Sequence, residues 1–241
     1  MRAPAAPATA PVAALRTENN LLAALPRKES RQLCDEMERV QLTYGEILYE
    51  PGKSIRYVYF PNDSVVSLLT MVDQHQALEV GLVGREGLVG LPLALDVATS
   101  PVRALVQGSG TAMRMAAAPF LKQLHASRAL QRLLRLYTAD LMAQITQTAA
   151  CNRFHVVEAR LARWLLMTHD RLRANPFHLT QEFLSHMLGV RRVGVTKAAS
   201  ALQKEKLISY SRGDITILDR KGLEAAACSC YGIVRGLQAA T

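Results

Sequence analysis

This 241-residue sequence contains no run of about 18 apolar residues free of charges and breakers, so no segment is expected to cross a bilayer. Cysteine is sparse. Cys34, Cys151, Cys228 and Cys230 are too few and too scattered for a disulfide framework, which points to a reducing compartment, by default the cytoplasm. The opening MRAPAAPATAPVAAL has only Arg2 ahead of its apolar part, and Pro4, Pro7 and Pro11 interrupt the stretch a secretory signal needs; residues 1–18 are expected to form a disordered tail. The glycines spell neither the dinucleotide-binding fingerprint nor a P-loop. Among the strand-like segments the only histidine is His75, between Gln74 and Gln76, with His125 beyond. The two histidines and a carboxylate of a cupin-like metal enzyme are therefore missing, and neither catalysis nor a bound metal is expected.

What the sequence does have is enough apolar content for a real core, 49% hydrophobic residues at a mean hydropathy of +0.06, divided between about two domains. The net charge of +9 is unevenly placed: residues 153–221 hold 13 Lys/Arg against 6 Asp/Glu, whereas residues 1–152 are nearly balanced. A basic third of a chain is either a solvated face or the footprint of an anionic partner. The local pattern decides between them.

From Leu42 to Ala116, short apolar or alternating runs (EILYE, YVYF, VVSLLTMV, ALEVGLV) are separated by PGKS, PNDS and DQHQ, the rhythm of an antiparallel roll. Gly81, Gly84, Gly87 and Gly90 recur every third residue, where turns or close backbone approaches are expected. Phe120 to Asn152 is free of Gly and Pro and reads as one long helix, with a seam at Leu130, Leu134, Tyr137, Leu141, Gln144, Thr148 and Cys151. Such a seam suits a dimer interface, or a core helix packed on its own roll. Residues 156–174 form a second amphipathic helix, with Val157, Leu161, Trp164, Leu165 and Thr168 on one face and Arg160, Arg163 and Arg171 on the other; Asn175-Pro176 ends it.

The segment from Thr180, TQEFLSHMLGVRRVGVTKAASALQKEKLI, has the parts of a helix-turn-helix. Thr180 caps a short helix, Leu184 and Leu188 form its inner face, and Gly189 makes the turn. Val195, Ala198, Ala199 and Leu202 then face inward on a second helix and leave Arg191, Arg192, Gly194, Thr196, Lys197 and Ser200 outside. Arg192 and Lys197 can donate to guanine, Thr196 can reach a base or a phosphate, and Val193 can meet a thymine methyl. Thr180, Gln181, Arg191, Ser200 and Arg212 are candidates for phosphate. LISYSRGDITIL alternates on both sides of Arg212-Gly213-Asp214 as a hairpin wing does, and Asp219 can cap a last helix, RKGLEAAAC.

With ARLARWLL ahead of this segment and GEILYEPGKSIRYVYFP in the early strands, residues 20–220 resemble the Crp/Fnr family of bacterial transcriptional regulators. The resemblance implies an α+β chain: an N-terminal antiparallel β-roll (a double-stranded β-helix of the cyclic-nucleotide-binding type) over 19–120, a dimerisation helix over 121–152, and a C-terminal winged helix-turn-helix over 153–241. It also implies a homodimer on double-stranded DNA with a two-fold symmetric operator, its seam at Leu130, Leu134, Tyr137, Leu141 and Thr148, and RNA polymerase as a candidate partner.

The effector cassette departs from the family. Family members that bind cyclic nucleotides place a Glu on the ribose and an Arg-Ser/Thr-Ala on the phosphate. Aligning Gly87 and Gly90 puts Leu88 at the Glu and Ala98-Thr99-Ser100 at the Arg-Ser/Thr-Ala, with Arg103 too late. Neither leucine nor alanine can bind a ribose or a phosphate, so no cyclic AMP and no cofactor are expected. Arg85 and Arg103 read as solvated or as contacts for another anion. Cys228 and Cys230 are two ligands short of a zinc site. Cys151 with His155 reads as a buried seam cysteine, a haem ligand pair or a thiol switch. A redox- or metabolite-gated regulator is thus the alternative to an ungated one.

Overall fold

The computed structural model describes residues 18–72, 77–172, 175 and 177–239. Residues 1–17 of the expected tail, His75 with its two glutamines, and Pro176 lie outside the described residues. Glu18, expected to end the tail, donates its N–H to Asn62 Oδ1 at 3.1 Å.

Two helices, α1 (Asn20–Ala24) and α2 (Arg27–Asp35), precede seven strands: β1 (Glu38–Leu42), β2 (Ile47–Tyr49), β3 (Tyr57–Pro61), β4 (Val65–Met71), β5 (Ala77–Val83), β6 (Arg103–Gly108) and β7 (Gly110–Ala116). They form two antiparallel sheets, ordered β1-β7-β3 and β2-β6-β4-β5, with a 3-10 helix (Leu91–Leu95) between β5 and β6. The chain continues through α3 (Ala117–Ala126), α4 (Arg128–Phe154), α5 (Val157–Leu172), β8 (Phe177–His178), α6 (Gln181–Leu188), α7 (Arg192–Lys204), β9 (Ile208–Ser211), β10 (Asp214–Ile217), α8 (Arg220–Ala226) and α9 (Cys230–Ala239). A third sheet, β8-β10-β9, is the wing. This is the expected α+β architecture, a β-roll followed by helices and a winged helix-turn-helix.

Two cores explain why β4 is apolar almost throughout. Val66 and Leu68 point into the roll with Phe60, Leu88 and Met113, whereas Val65 and Leu69 point outward into a second core with Trp164, Leu165, Leu184 and Val195. The period of two along the strand thus delivers one row of side chains to each core. The helix-turn-helix is built directly onto the outer face of the roll.

Four expectations are corrected. The single helix from Phe120 breaks at Ser127, whose hydroxyl caps α4 by accepting from Leu130 N at 2.9 Å. The seam residues Leu130, Leu134, Tyr137 and Leu141 are buried within the chain's own roll core, and Thr148 is buried too. Their face of α4 is therefore occupied and cannot meet a second chain. Gln144, the larger polar residue of that seam, is satisfied by the edge strand: it accepts from Leu82 N at 2.8 Å and donates to Leu82 O at 3.2 Å.

The arginines of α5 are not a solvated face either. Arg160, Arg163 and Arg171 are all buried, because α5 lies between the roll and the rest of the C-terminal unit. Finally, RKGLEAAAC is not the last helix; α9 follows it and packs beside α4.

Candidate nucleic-acid interface

The turn of the helix-turn-helix depends on Gly189. Its φ of 61° is in the left-handed region, and a Cβ there would also stand 2.7 Å from Leu78 Cδ1 of β5. A side chain there would be strained by the backbone conformation and would have to displace the end of Leu78. Thr180 caps α6 by accepting from Phe183 N at 3.1 Å. Val195, Ala198, Ala199 and Leu202 fix α7 in the second core.

Burial of that inner face leaves Arg192, Val193, Thr196, Lys197 and Ser200 exposed on the other side, Val193 at 60%. Arg191, the N-cap residue of α7, is exposed as well. An exposed valine between two arginines and a lysine is poorly explained by solubility. It suits a helix that presses against an apolar and anionic surface.

The structure joins two candidates that the sequence left separate. Thr196 Oγ1 donates to Gln181 Oε1 at 2.9 Å, linking the middle of α7 to the first turn of α6. The wing completes the surface. Arg212 and Gly213 turn the hairpin with φ of 52° and 91°, and His178 of β8 pairs with Asp214 at 2.9 Å beneath the tip. A groove between wing and helices is lined by His178, Thr180, Gln181, Arg192, Tyr210 and Arg212. His178 and Tyr210 were not legible as members of this surface, because β8 is only two residues long and pairs across 36 positions of sequence.

The cassette is packed against the long helix. Leu88 is 1% exposed, and its backbone oxygen accepts from Tyr137 Oη at 3.4 Å. A Cβ on Gly87 would lie 2.3 Å from that same hydroxyl, so the backbone of the cassette is pressed against α4. Ala98 and Thr99 are exposed and carry no charge. The two arginines read as solvated are engaged: Arg103 donates to Glu50 at 2.8 Å, and Arg85 reaches Asp170 O at 3.5 Å. At the two positions where the cyclic-nucleotide-binding pattern calls for a Glu and an Arg, the chain thus offers the apolar side chains of Leu88 and Ala98.

Nor are the later cysteines isolated. Cys151, His155, Cys228 and Cys230 converge where α4 ends and α9 begins. The sequence concealed this, since more than 70 residues separate the two halves of the cluster.

Roll and helix-turn-helix are tied by polar groups as well as by packing. Trp164 Nε1 donates to Glu79 Oε1 at 2.7 Å, Gln107 Nε2 to Thr168 Oγ1 at 2.8 Å, and Arg171 Nε to Glu86 Oε1 at 2.7 Å. Burial pushes the carboxyl of Glu79 up to about 7, against the opposing pull of its hydrogen bonds from Ser67 and Trp164. Ser67 Oγ stands 2.7 Å from Glu79 Oε2 and 2.5 Å from Gln107 Oε1, and it has one hydrogen for two acceptors. A proton on Glu79 supplies the missing donor.

The whole is a β-roll joined to a winged helix-turn-helix whose second helix has an exposed, basic face. Residues 159–226 match the family described as the Crp-like helix-turn-helix domain. A search of curated proteins by sequence gives no match. Among solved structures, FixK2 from Bradyrhizobium japonicum is similar at 16% identity and a TM-score of 0.68, over 80% of this chain and 98% of that one. The c-di-GMP responsive global regulator CLP from Xanthomonas campestris is similar at 15% identity and 0.64, over 80% and 99%. A CRP-family transcriptional regulator from Thermus thermophilus reaches 19% identity and 0.65, over 79% and 96%. The chain thus has a Crp-like helix-turn-helix DNA-binding domain on the fold of the Crp/Fnr transcriptional regulators. No described helix is long and apolar enough to cross a membrane.

Proposed function

We propose that the protein is a homodimeric, sequence-specific transcriptional regulator that reads a two-fold symmetric operator through α7 without control by cyclic AMP. The observation that carries this reading is the exposed face of α7. Arg192, Val193, Thr196 and Lys197 are offered to base edges, with Thr180, Gln181, Arg191, Ser200 and Arg212 around them for phosphates. The units are a roll over 19–120, a helical link over 121–152 that contains the break at Ser127, and a DNA-binding unit over 153–241. RNA polymerase is the partner such a regulator would engage.

The dimer forms through the outer face of α4, since the inner one is taken by the roll. Leu136, Ala139, Thr146 and Ala150 are exposed at steps near three and four or their sums, and the adjoining Met142 is also open; Leu136 is 48% exposed and Met142 63%. Small residues around two large apolar ones allow close helix approach. Leu136→Glu is expected to convert a dimer to a monomer in light scattering at micromolar concentration. A wild-type monomer would remove the dimer from the proposal, and a variant that stays dimeric would place the interface elsewhere.

The test of the whole reading is selection of bound fragments from random duplex DNA, with and without cyclic AMP. A symmetric motif recovered equally in both arms is expected, with half-sites one helical turn, about 34 Å, apart. Enrichment only with the nucleotide would overturn the reading of the cassette. On the selected site, Arg192→Ala is expected to lose about 1–3 kcal/mol of affinity and to relax preference at one base pair per half-site. An equal loss on every sequence would make Arg192 a phosphate contact.

A further inference from the structure

Four metal-binding side chains meet at the junction of the roll's long helix and the C-terminal unit. Cys151 lies in the last turn of α4, and His155, its C-cap residue, donates its backbone N–H to Cys151 O at 3.1 Å. That i, i+4 spacing on one helix face sets thiol and imidazole side by side. Cys230 is the first residue of α9, with Cys228 two residues before it. The donor atoms of all four lie within 4.8 Å of one another. The Sγ atoms of Cys151 and Cys228 are 3.5 Å apart, and Cys230 Sγ is 3.4 Å from His155 Nδ1.

Those separations are close to the edges of a tetrahedral metal site. Metal–sulfur bonds of about 2.3 Å at tetrahedral angles place two sulfurs roughly 3.8 Å apart, and a sulfur and a nitrogen roughly 3.5 Å apart. Adjustments of a few tenths of an ångström along the two short edges, and contraction by no more than about an ångström along the rest, which are at most 4.8 Å, would seat one ion. The three thiols are free and buried, Cys151 fully so. Four donors this close leave no space for a haem macrocycle or for the inorganic core of an iron–sulfur cluster.

The surroundings carry the opposite charge. Arg160 and Arg163 are 6% and 4% exposed, and the Nε of each has no hydrogen-bond partner among the described residues. Both guanidinium charges bear on Cys151 and Cys228. Two buried cations beside three neutral thiols would be an expensive arrangement. Beside thiolates they are compensated, and the thiolate is the form a metal ion takes. Gln147 Nε2 donates to Cys230 Sγ at 3.0 Å, the kind of outer hydrogen bond that orients a ligating sulfur.

We propose that Cys151, His155, Cys228 and Cys230 bind one divalent zinc-type ion in a closed, four-coordinate site. On binding, the three thiols release their protons to solvent, and three sulfurs and one imidazole nitrogen donate electron pairs to the ion; nothing is oxidised or reduced. Three thiolates and a dication leave one negative charge, which the buried arginines offset. With all four positions filled by the protein, the ion's role is structural. It fastens the start of α9 to the end of α4, next to Arg160, which donates to Leu188 O at the end of α6. The ion therefore helps to set where the helix-turn-helix sits on the roll.

The test measures metal in the full chain, purified under reducing conditions with zinc supplied and excess removed by gel filtration. One zinc per chain is expected in the wild type and in Cys34→Ser. Background metal is expected in Cys228→Ser and in His155→Ala, the latter at a half-buried position where the fold should tolerate the change. Replacement of zinc by cobalt in the wild type should give the visible bands of a tetrahedral thiolate-rich site, a readout that needs no variant. Four free thiols with neither zinc nor a cobalt spectrum would overturn the proposal. So would iron accompanied by inorganic sulfide, or a Cys151–Cys228 disulfide in metal-free protein.

Discussion

Glu86→Ala is expected to destabilise the protein by about 3–5 kcal/mol, the loss typical of one partner removed from a buried ion pair. Arg171 is the reason. Its side chain is 3% exposed, its Nε donates to Glu86 Oε1 at 2.7 Å, its Nη1 donates to Met167 O at 2.9 Å, and its Nη2 has no partner among the described residues. Without Glu86 the guanidinium keeps one hydrogen bond and its full charge in a place water does not reach. The loop would also lose the bond from Gly84 N to Glu86 Oε1 at 3.1 Å. Replacing both partners with apolar residues, Glu86→Leu with Arg171→Met, should restore stability to near the wild-type value. Urea denaturation of the three proteins distinguishes the cases; a loss under about 1 kcal/mol in Glu86→Ala would mean that Arg171 finds solvent.

The second large effect concerns pH. Glu79 titrates near 7 in the folded protein and near 4.5 as a free side chain. A raised folded value means that this group's contribution is fully present below about pH 4.5, is lost progressively as pH rises, and is gone above about 7. The difference between the two values corresponds to about 3 kcal/mol. Because Glu79 receives Trp164 of α5, the loss falls on the contact between roll and C-terminal unit. Glu79→Gln keeps the shape and cannot ionise. Stability of wild type minus that of Glu79→Gln, measured from pH 5 to 8, should therefore fall with rising pH and flatten above about 7. A difference that is constant over this range would show that Glu79 does not change its protonation there.

What could be read from the sequence follows from how local each signal is. The helix-turn-helix was legible because a cap, a glycine turn and an inner row at Val195, Ala198, Ala199 and Leu202 are all set within 25 residues. The strands of the roll were legible from alternation between turn residues, although β4 feeds two cores at once. The seam of α4 was located correctly as a row of apolar residues, but a row does not name its partner. Leu134 and Leu141 would look the same against a second chain as against Leu88. The arginines of α5 were misplaced because charge usually marks a solvated face, and their partners, Glu86, Leu188 O and Thr148, are remote in sequence. Distance in sequence likewise hid the cysteine–histidine cluster: Cys228 and Cys230 alone are two ligands short of a zinc site, and Cys151 with His155 alone reads equally as a seam cysteine, a haem ligand pair or a thiol switch.

The division of α7 into a buried row and an open row has a consequence for how such a protein diversifies. Val195, Ala198, Ala199 and Leu202 hold the helix in place, while Arg192, Val193, Lys197 and Ser200 are exposed and Thr196, though exposed, is tied to Gln181. On the proposed reading, changes at Arg192, Val193, Lys197 and Ser200 would alter what is read and leave the fold's stability nearly untouched, since exposed substitutions of this kind stay within about 0.5 kcal/mol. A duplicated copy of this chain could thus drift toward a new operator through those four positions alone, with the same roll and the same junction beneath it.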